Sequence, residues 1–115
     1  MEAPAYLDTS ALTKLVLDED ESPRIKEFLK TNDVTLVSSQ LAEVELVRAV
    51  SRTDPEGRPK VRELLGRLFL LPITSSVRET AAHLNPPSLR SLDAIHLATA
   101  LEISDHLAGV MTFDN

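Results

Sequence analysis

An α/β fold, with a short parallel sheet covered by helices on both faces, is predicted by three features of the sequence. Four short runs rich in branched or bulky apolar residues recur along the chain, separated by segments with helical spacing. Strands alternating with helices call for crossover connections, and hence a parallel sheet. The 115 residues are 43% hydrophobic and 26% charged, a composition that can form one core without a disulfide or structural metal.

The elements follow in order. "PAYLD" (4–8) is a strand. "SALTKLVLDE" (10–19) is a helix with Ser10 near its N-cap. The acidic run "DEDE" (18–21) and Pro23 open a second helix over 23–31, with Ile25, Phe28 and Leu29 at helical spacing. "VTLVS" (34–38) is a β-branched strand, and "SQLAEVELVRAVSR" (39–52) a helix capped by serine. "DPEGRP" (54–59) is a turn, "PKVRELLGRL" (59–68) a helix and "LFLLPIT" (68–74) a strand. "SSVRETAAHL" (75–84) is a helix stopped by Pro86 and Pro87. "SLDAIHLATALEIS" (91–104) is a helix and "GVMTFD" (109–114) the last strand. One domain over residues 1–115 is expected.

Composition excludes several classes. The chain has no cysteine, which rules out a disulfide scaffold, a zinc ribbon and thiol catalysis, and fits a reducing cytoplasm. "MEAPAYLDTS" has neither a basic n-region nor a long apolar h-region, so no signal peptide is expected. "LFLLPI" (68–73) is too short to span a bilayer, and no membrane partner is expected. The net charge of −6 argues against simple electrostatic binding of nucleic acid. Charge is segregated, however. Arg48, Arg52, Arg58, Lys60, Arg62 and Arg67 crowd residues 48–67, whereas no Lys or Arg follows residue 90. Two solvated surfaces account for this as readily as two binding surfaces. Aromatics are few (Tyr6, Phe28, Phe69 and Phe113), which disfavours a single-strand stacking platform.

Most of the 18 acidic residues sit in solvated runs or beside basic neighbours on amphipathic helices. Four do not. Asp8 ends the first strand, at the edge where α/β sites form, though it can also cap the following helix. Glu45 lies in a helix apolar almost all round (Leu41, Val44, Leu46, Val47, Val50), which predicts burial. An i,i+3 pair with Arg48 is its ordinary explanation, and periodicity alone does not separate Glu45 from Glu43. Asp93 falls in the first turn of an otherwise apolar helix, where the helix dipole favours a carboxylate. Asp114 ends the last strand, where a turn residue is also ordinary. Several carboxylates in one cleft repel one another, and a hard divalent cation such as Mg²⁺ or Mn²⁺ removes that penalty. Such a centre suits phosphodiester hydrolysis. Spacing alone does not single out such a centre, because acidic residues are common.

The segments "AYLDTSAL", "AEVELVRAV", "LRSLDAIHLATAL" and "MTFD", in that order, resemble the PIN domain, in particular the VapC-type toxins of bacterial toxin–antitoxin pairs. The resemblance runs over the whole chain and is most specific in "SLDAIHLATAL". It implies a three-layer α/β/α sandwich and a Mg²⁺- or Mn²⁺-dependent endoribonuclease. Position by position, Asp8, Glu45, Asp93 and Asp114 match the family's acidic quartet, and the "E-L-V-R-A" match selects Glu45 over Glu43. Asp8 and Asp93 are then the principal metal ligands, Glu45 ligates directly or through water, and Asp114 completes the site. Ser10 and Thr112 match supporting hydroxyl positions. A cognate antitoxin and a homodimer are implied partners beside the RNA substrate. Arg48, Arg52, Arg58, Lys60 and Arg62 then become candidate contacts to RNA or antitoxin. Relatives usually continue past the "TFD" position, so the last C-terminal elements of the family are expected to be missing here.

Other readings compete. A haloacid dehalogenase-type phosphatase wants an aspartate two residues after the first, where this chain has Ser10. A phospho-receiver wants adjacent acids after the first strand and a lysine at the last, and neither is present. A catalytically silent module that only binds a protein partner is the non-enzyme alternative. His83, His96 and His106 lack a zinc-like spacing and are expected to be structural.

Overall fold

In the computed structural model of the chain, residues 3–17, 23, 24, 26, 27, 34–104 and 109–111 are described. The elements are β1 (Ala3–Leu7), α1 (Thr9–Val16), β2 (Val34–Ser39), α2 (Leu41–Thr53), a 3₁₀ turn (Pro55–Gly57), α3 (Arg58–Gly66), β3 (Phe69–Leu71), α4 (Ser75–Ala82), α5 (Ser91–Glu102) and β4 (Gly109–Met111). Pro23, Arg24, Lys26 and Glu27 are helical, in keeping with a helix over 23–31, whose other residues lie outside the described ones. The last strand is seen as Gly109–Met111, and Thr112 and Asp114 lie outside the described residues.

The four strands are all parallel, in the order β3-β2-β1-β4. The chain steps from β1 outward to β2 and β3, then returns to the other side of β1. Right-handed crossovers made in opposite directions put their helices on opposite faces of a sheet. Helices α1, α2 and α3 pack together on one face, while α5 packs on β2 from the other and carries α4. The expected α/β/α layering is therefore present.

The strand period of two divides the core. Ala5 and Leu7 of β1, with Leu36 of β2, join Ala11, Leu12, Val16, Ala42, Leu46, Val50 and Val61 on the α1–α3 side. Tyr6 and Val37, which are register partners, join Ala100, Leu71 and Ile103 on the α5 side.

Several boundaries differ from expectation. The strand expected over 68–74 shrinks to Phe69–Leu71. Pro72 has no N–H for the ladder, and Thr74 then caps α4 by accepting from the Val77 amide at 3.1 Å. Asp8, rather than Ser10, is the N-cap of α1. Ser39 ends β2 instead of capping α2, and its hydroxyl accepts from the Leu41 amide at 3.0 Å. Helix α5 begins at Ser91, with Arg90 as its cap.

The largest correction concerns burial. Helix α2 buries Ala42, Leu46 and Val50, spaced four apart, but leaves Val44 59% and Val47 40% exposed. Helix α5 buries Ala94, His96, Ala98, Thr99 and Ala100, while Leu92, Leu97 and Leu101 face outward. The small side chains let α5 approach the sheet closely, and the larger apolar ones are left to the surface. Among the described residues, no helix is long and apolar enough to cross a membrane.

Candidate active site

The strand order reverses at β1, whose C-terminal end is the switch point where open α/β sheets form their sites. Asp8 stands there as the first residue after β1. Its carboxylate Oδ1 accepts from the Ala11 amide at 3.1 Å and from the Ser10 hydroxyl at 2.6 Å. The carboxylate that caps α1 is thus the one that stands at the switch point.

Thr9, the next residue, reaches across to α2. Its hydroxyl donates to Glu45 Oε1 at 2.5 Å. Glu45 is half-buried, and its other partner is His96 of α5, with Nε2 at 2.8 Å from the same oxygen. The ordinary alternative, a pair with Arg48, is not among its contacts. Arg48 is exposed, and Glu43 also faces outward. Burial alone acts to raise the Glu45 carboxyl, but the hydrogen bonds from His96 and Thr9 and the attraction of His96 outweigh it. Glu45 is held below the usual carboxylate range and stays ionised.

Behind His96 stands Tyr6. Its hydroxyl lies 2.8 Å from Nδ1, and the two rings meet edge to face, with centroids 6.0 Å apart. Burial pushes the Tyr6 hydroxyl far above its usual range. The nearby charges of Asp8 and Glu45 push the same way, against the hydroxyls of Thr99 and Ser38. His96 is buried, and its partner is the candidate site carboxylate Glu45. The sequence reading missed this contact.

Asp93 lies three residues before His96, hence about one turn nearer the start of α5. It is 36% exposed and accepts from Arg90 Nε at 3.1 Å. Asp8 and Glu45 are thus linked through Thr9, whereas Asp93 is held by its own helix neighbour. Among the described residues, no three His, Asp or Glu side chains stand close enough together to hold a metal ion. The fourth predicted acid, Asp114, and the supporting Thr112 lie outside the described residues.

The candidate cationic residues are all exposed. Arg48 and Arg52 are one and two turns along α2 from Glu45, so they begin at the site and run away from it. Arg58, Lys60 and Arg62 continue on α3, where Arg58 Nε donates to the Ser51 hydroxyl at 3.3 Å.

Comparison with known proteins agrees with this geometry. The PIN domain family model matches residues 5–115. Ribonuclease VapC35 of Mycobacterium tuberculosis is 44% identical over 113 residues, covering 96% of this chain and 84% of that protein. Ribonuclease VapC46 of the same organism is 40% identical, covering 98% and 86%. Among solved structures, Mycobacterium tuberculosis VapC20, described as a sarcin–ricin loop cleaving toxin, aligns with a TM-score of 0.79 at 13% identity. The alignment covers 96% of this chain and 89% of that one. A toxin–antitoxin complex from Klebsiella pneumoniae aligns with a TM-score of 0.73 at 21% identity, covering 93% and 84%. A parallel sheet with an aspartate at its switch point, in a chain matched almost end to end, makes this protein a member of the PIN domain family, of the VapC type.

Proposed function

We propose that the protein is an endoribonuclease that hydrolyses RNA phosphodiester bonds with the help of Mg²⁺ or Mn²⁺, and that it is the toxin of a toxin–antitoxin pair. One observation carries the reading: Asp8 stands at the switch point of the sheet, and its chain neighbour Thr9 holds Glu45 of α2, a carboxylate kept below its usual range. The identity to proteins named ribonucleases supports it.

Asp8, Glu45 and Asp93 offer carboxylate oxygens, the donor type a hard cation prefers, but among the described residues they form no three-ligand cluster and would have to draw together to share one ion. These three, with Asp114, are the proposed ligands. The ion, when bound, would polarise the phosphoryl oxygen and lower the pKa of a bound water. The chain's own residues do the rest. The hydroxyl of Ser10 and the Ala11 amide hold Asp8 in place. Ionised Glu45 accepts a hydrogen bond from the attacking water and orients it. Exposed Arg48, beside Glu45, meets an RNA phosphate. The few aromatic residues favour recognition of folded RNA over a stacked single strand.

The decisive experiment is a cleavage assay on total cellular RNA with and without Mg²⁺ or Mn²⁺, with product ends mapped. Metal-dependent products with defined ends support the proposal; identical digestion in chelator overturns it. A hundredfold excess of metal over its Kd should also stabilise the fold by about 2.7 kcal/mol, read as a rise in melting temperature. An unchanged melting curve counts against a metal site.

A cognate antitoxin and homodimerisation belong to the same proposal. The exposed cations of α3 are the proposed contact for RNA or for an acidic antitoxin segment. Changing Arg58 and Arg62 to Glu should weaken binding to one of them by roughly 1 kcal/mol per charge, the upper range for exposed pairs. Calorimetry reads this directly, and unaltered binding of both returns the segment to plain solvation.

A further inference from the structure

Glu45 receives both of its hydrogen bonds on one oxygen. Thr9 Oγ1 at 2.5 Å and His96 Nε2 at 2.8 Å both meet Oε1. The other oxygen, Oε2, has no hydrogen bond to any described residue. A glutamate has three side-chain torsions, so an ionised carboxylate at the edge of a site would otherwise sample many positions. Here two donors from two different elements hold it at one.

The donors are themselves held. A carboxylate oxygen can only accept, so the proton between Glu45 and His96 sits on Nε2. Thr9 Oγ1 spends its own hydrogen on Oε1 and lies 3.1 Å from Nε2, so it shares that same Nε2 proton as an acceptor. In the neutral ring, with the proton on Nε2, Nδ1 accepts from Tyr6, whose hydroxyl keeps its hydrogen because burial opposes ionisation. Tyr6 is 1% and His96 7% exposed, so packing of the α5 side of the sheet sets the ring positions. Hydrogen bonding thus runs unbroken from Tyr6 through His96 to Glu45.

We propose that Tyr6 and His96 are positioning residues that clamp Glu45 by Oε1 and so reserve Oε2 for the metal or its water. The proposal rests on the reading of the site as a metal-dependent nuclease. Neither residue touches substrate. Each acts through the orientation of Glu45, with Tyr6 selecting the tautomer and His96 delivering the donor.

The test uses the full chain and three variants: His96→Leu, which removes the donor; His96→Gln, which keeps an N–H within reach of Oε1; and Tyr6→Phe, which keeps the ring and loses the hydroxyl. Thermal denaturation identifies the folded variants. Mn²⁺ calorimetry, kcat and KM on RNA, and ¹⁵N NMR of the histidine rings in metal-free protein are the readouts. Removing a hydrogen-bond partner from a ligand typically costs about 10–100-fold in metal affinity or activity. His96→Leu should lose that much in Mn²⁺ affinity and in kcat, with KM nearly unchanged, and His96→Gln should regain most of it. Tyr6→Phe should cause a smaller loss in the same direction. The wild-type His96 ring should show its proton on Nε2.

A folded His96→Leu with wild-type Mn²⁺ affinity overturns the proposal. So does a wild-type ring protonated only on Nδ1. If His96→Leu does not fold, Tyr6→Phe decides: unchanged affinity and kcat overturn the clamp. A wild-type protein that binds Mn²⁺ through this clamp yet leaves RNA intact overturns the nuclease reading and upholds the positioning.

Discussion

Asp8→Asn is expected to lower RNA cleavage by on the order of 10³-fold, the scale of losing one preorganised electrostatic contact to the transition state, while the protein remains as stable as the parent. The two halves of that result come from two jobs of one carboxylate. As N-cap of α1, Asp8 satisfies the Ala11 amide through Oδ1, and asparagine caps helices about as well as aspartate. As a candidate metal ligand, Asp8 offers a negative oxygen that the neutral amide does not replace. Asp8→Ala removes both functions. It should lose activity to the same extent and cost about 1 kcal/mol of stability as well. Comparing the two variants by cleavage rate and by chemical denaturation separates the cap from the chemistry. Full activity in Asp8→Asn would take Asp8 out of the site.

Leu46→Ala is expected to have the largest effect on stability, about 2–5 kcal/mol. Leu46 is fully buried between α1, α2 and the sheet, among Ala5, Leu7, Leu12 and Val50. Its removal leaves a cavity whose lining belongs to short, rigid elements with little room to collapse. Against a total stability of about 5–15 kcal/mol, the variant sits near the edge of folding. Leu46 also neighbours Glu45 on α2, so loosening this packing should loosen the carboxylate. A shift of the denaturant midpoint smaller than about 1 kcal/mol, far below the range for buried leucines, would show that the α1–α3 core is not what holds α2 in place. Exposed Val44, one residue nearer the start of the same helix, is the control. Val44→Ala should change stability by no more than about 0.5 kcal/mol.

The element order was legible because it rests on local properties. β-branched runs, turn residues and helical spacing are read within a dozen residues, and right-handed crossovers turn that order into layers. The acidic candidates were legible for a similar reason. A carboxylate ending a strand, or lying in the first turn of an apolar helix, departs from what its neighbours require. The choice of Glu45 over Glu43 was not local. Both lie on α2, two residues apart, and spacing treats them alike; the resemblance selected Glu45. In the fold Glu43 meets solvent, while Glu45 meets Thr9 and His96, which lie 36 and 51 residues away in sequence.

Helix burial misled for a related reason. Val44, Val47, Leu97 and Leu101 make α2 and α5 read as enclosed, yet each helix packs through only one side. Hydropathy records which side chains avoid water, and does not record whether another element stands opposite them. The cap of α1 falls on Asp8 rather than Ser10, because both are good caps and only the entry angle of the chain chooses between them.

By itself the sequence determined the alternation of strands and helices, the supply of carboxylates and the absence of thiol chemistry, since these depend on residue type and short-range order. Only the tertiary structure decided which hydroxyl and which histidine hold Glu45, and on which oxygen. A hydrogen bond is made or lost within a few tenths of an ångström. Those distances, between β1, α2 and α5, are set by how both faces of the sheet are packed.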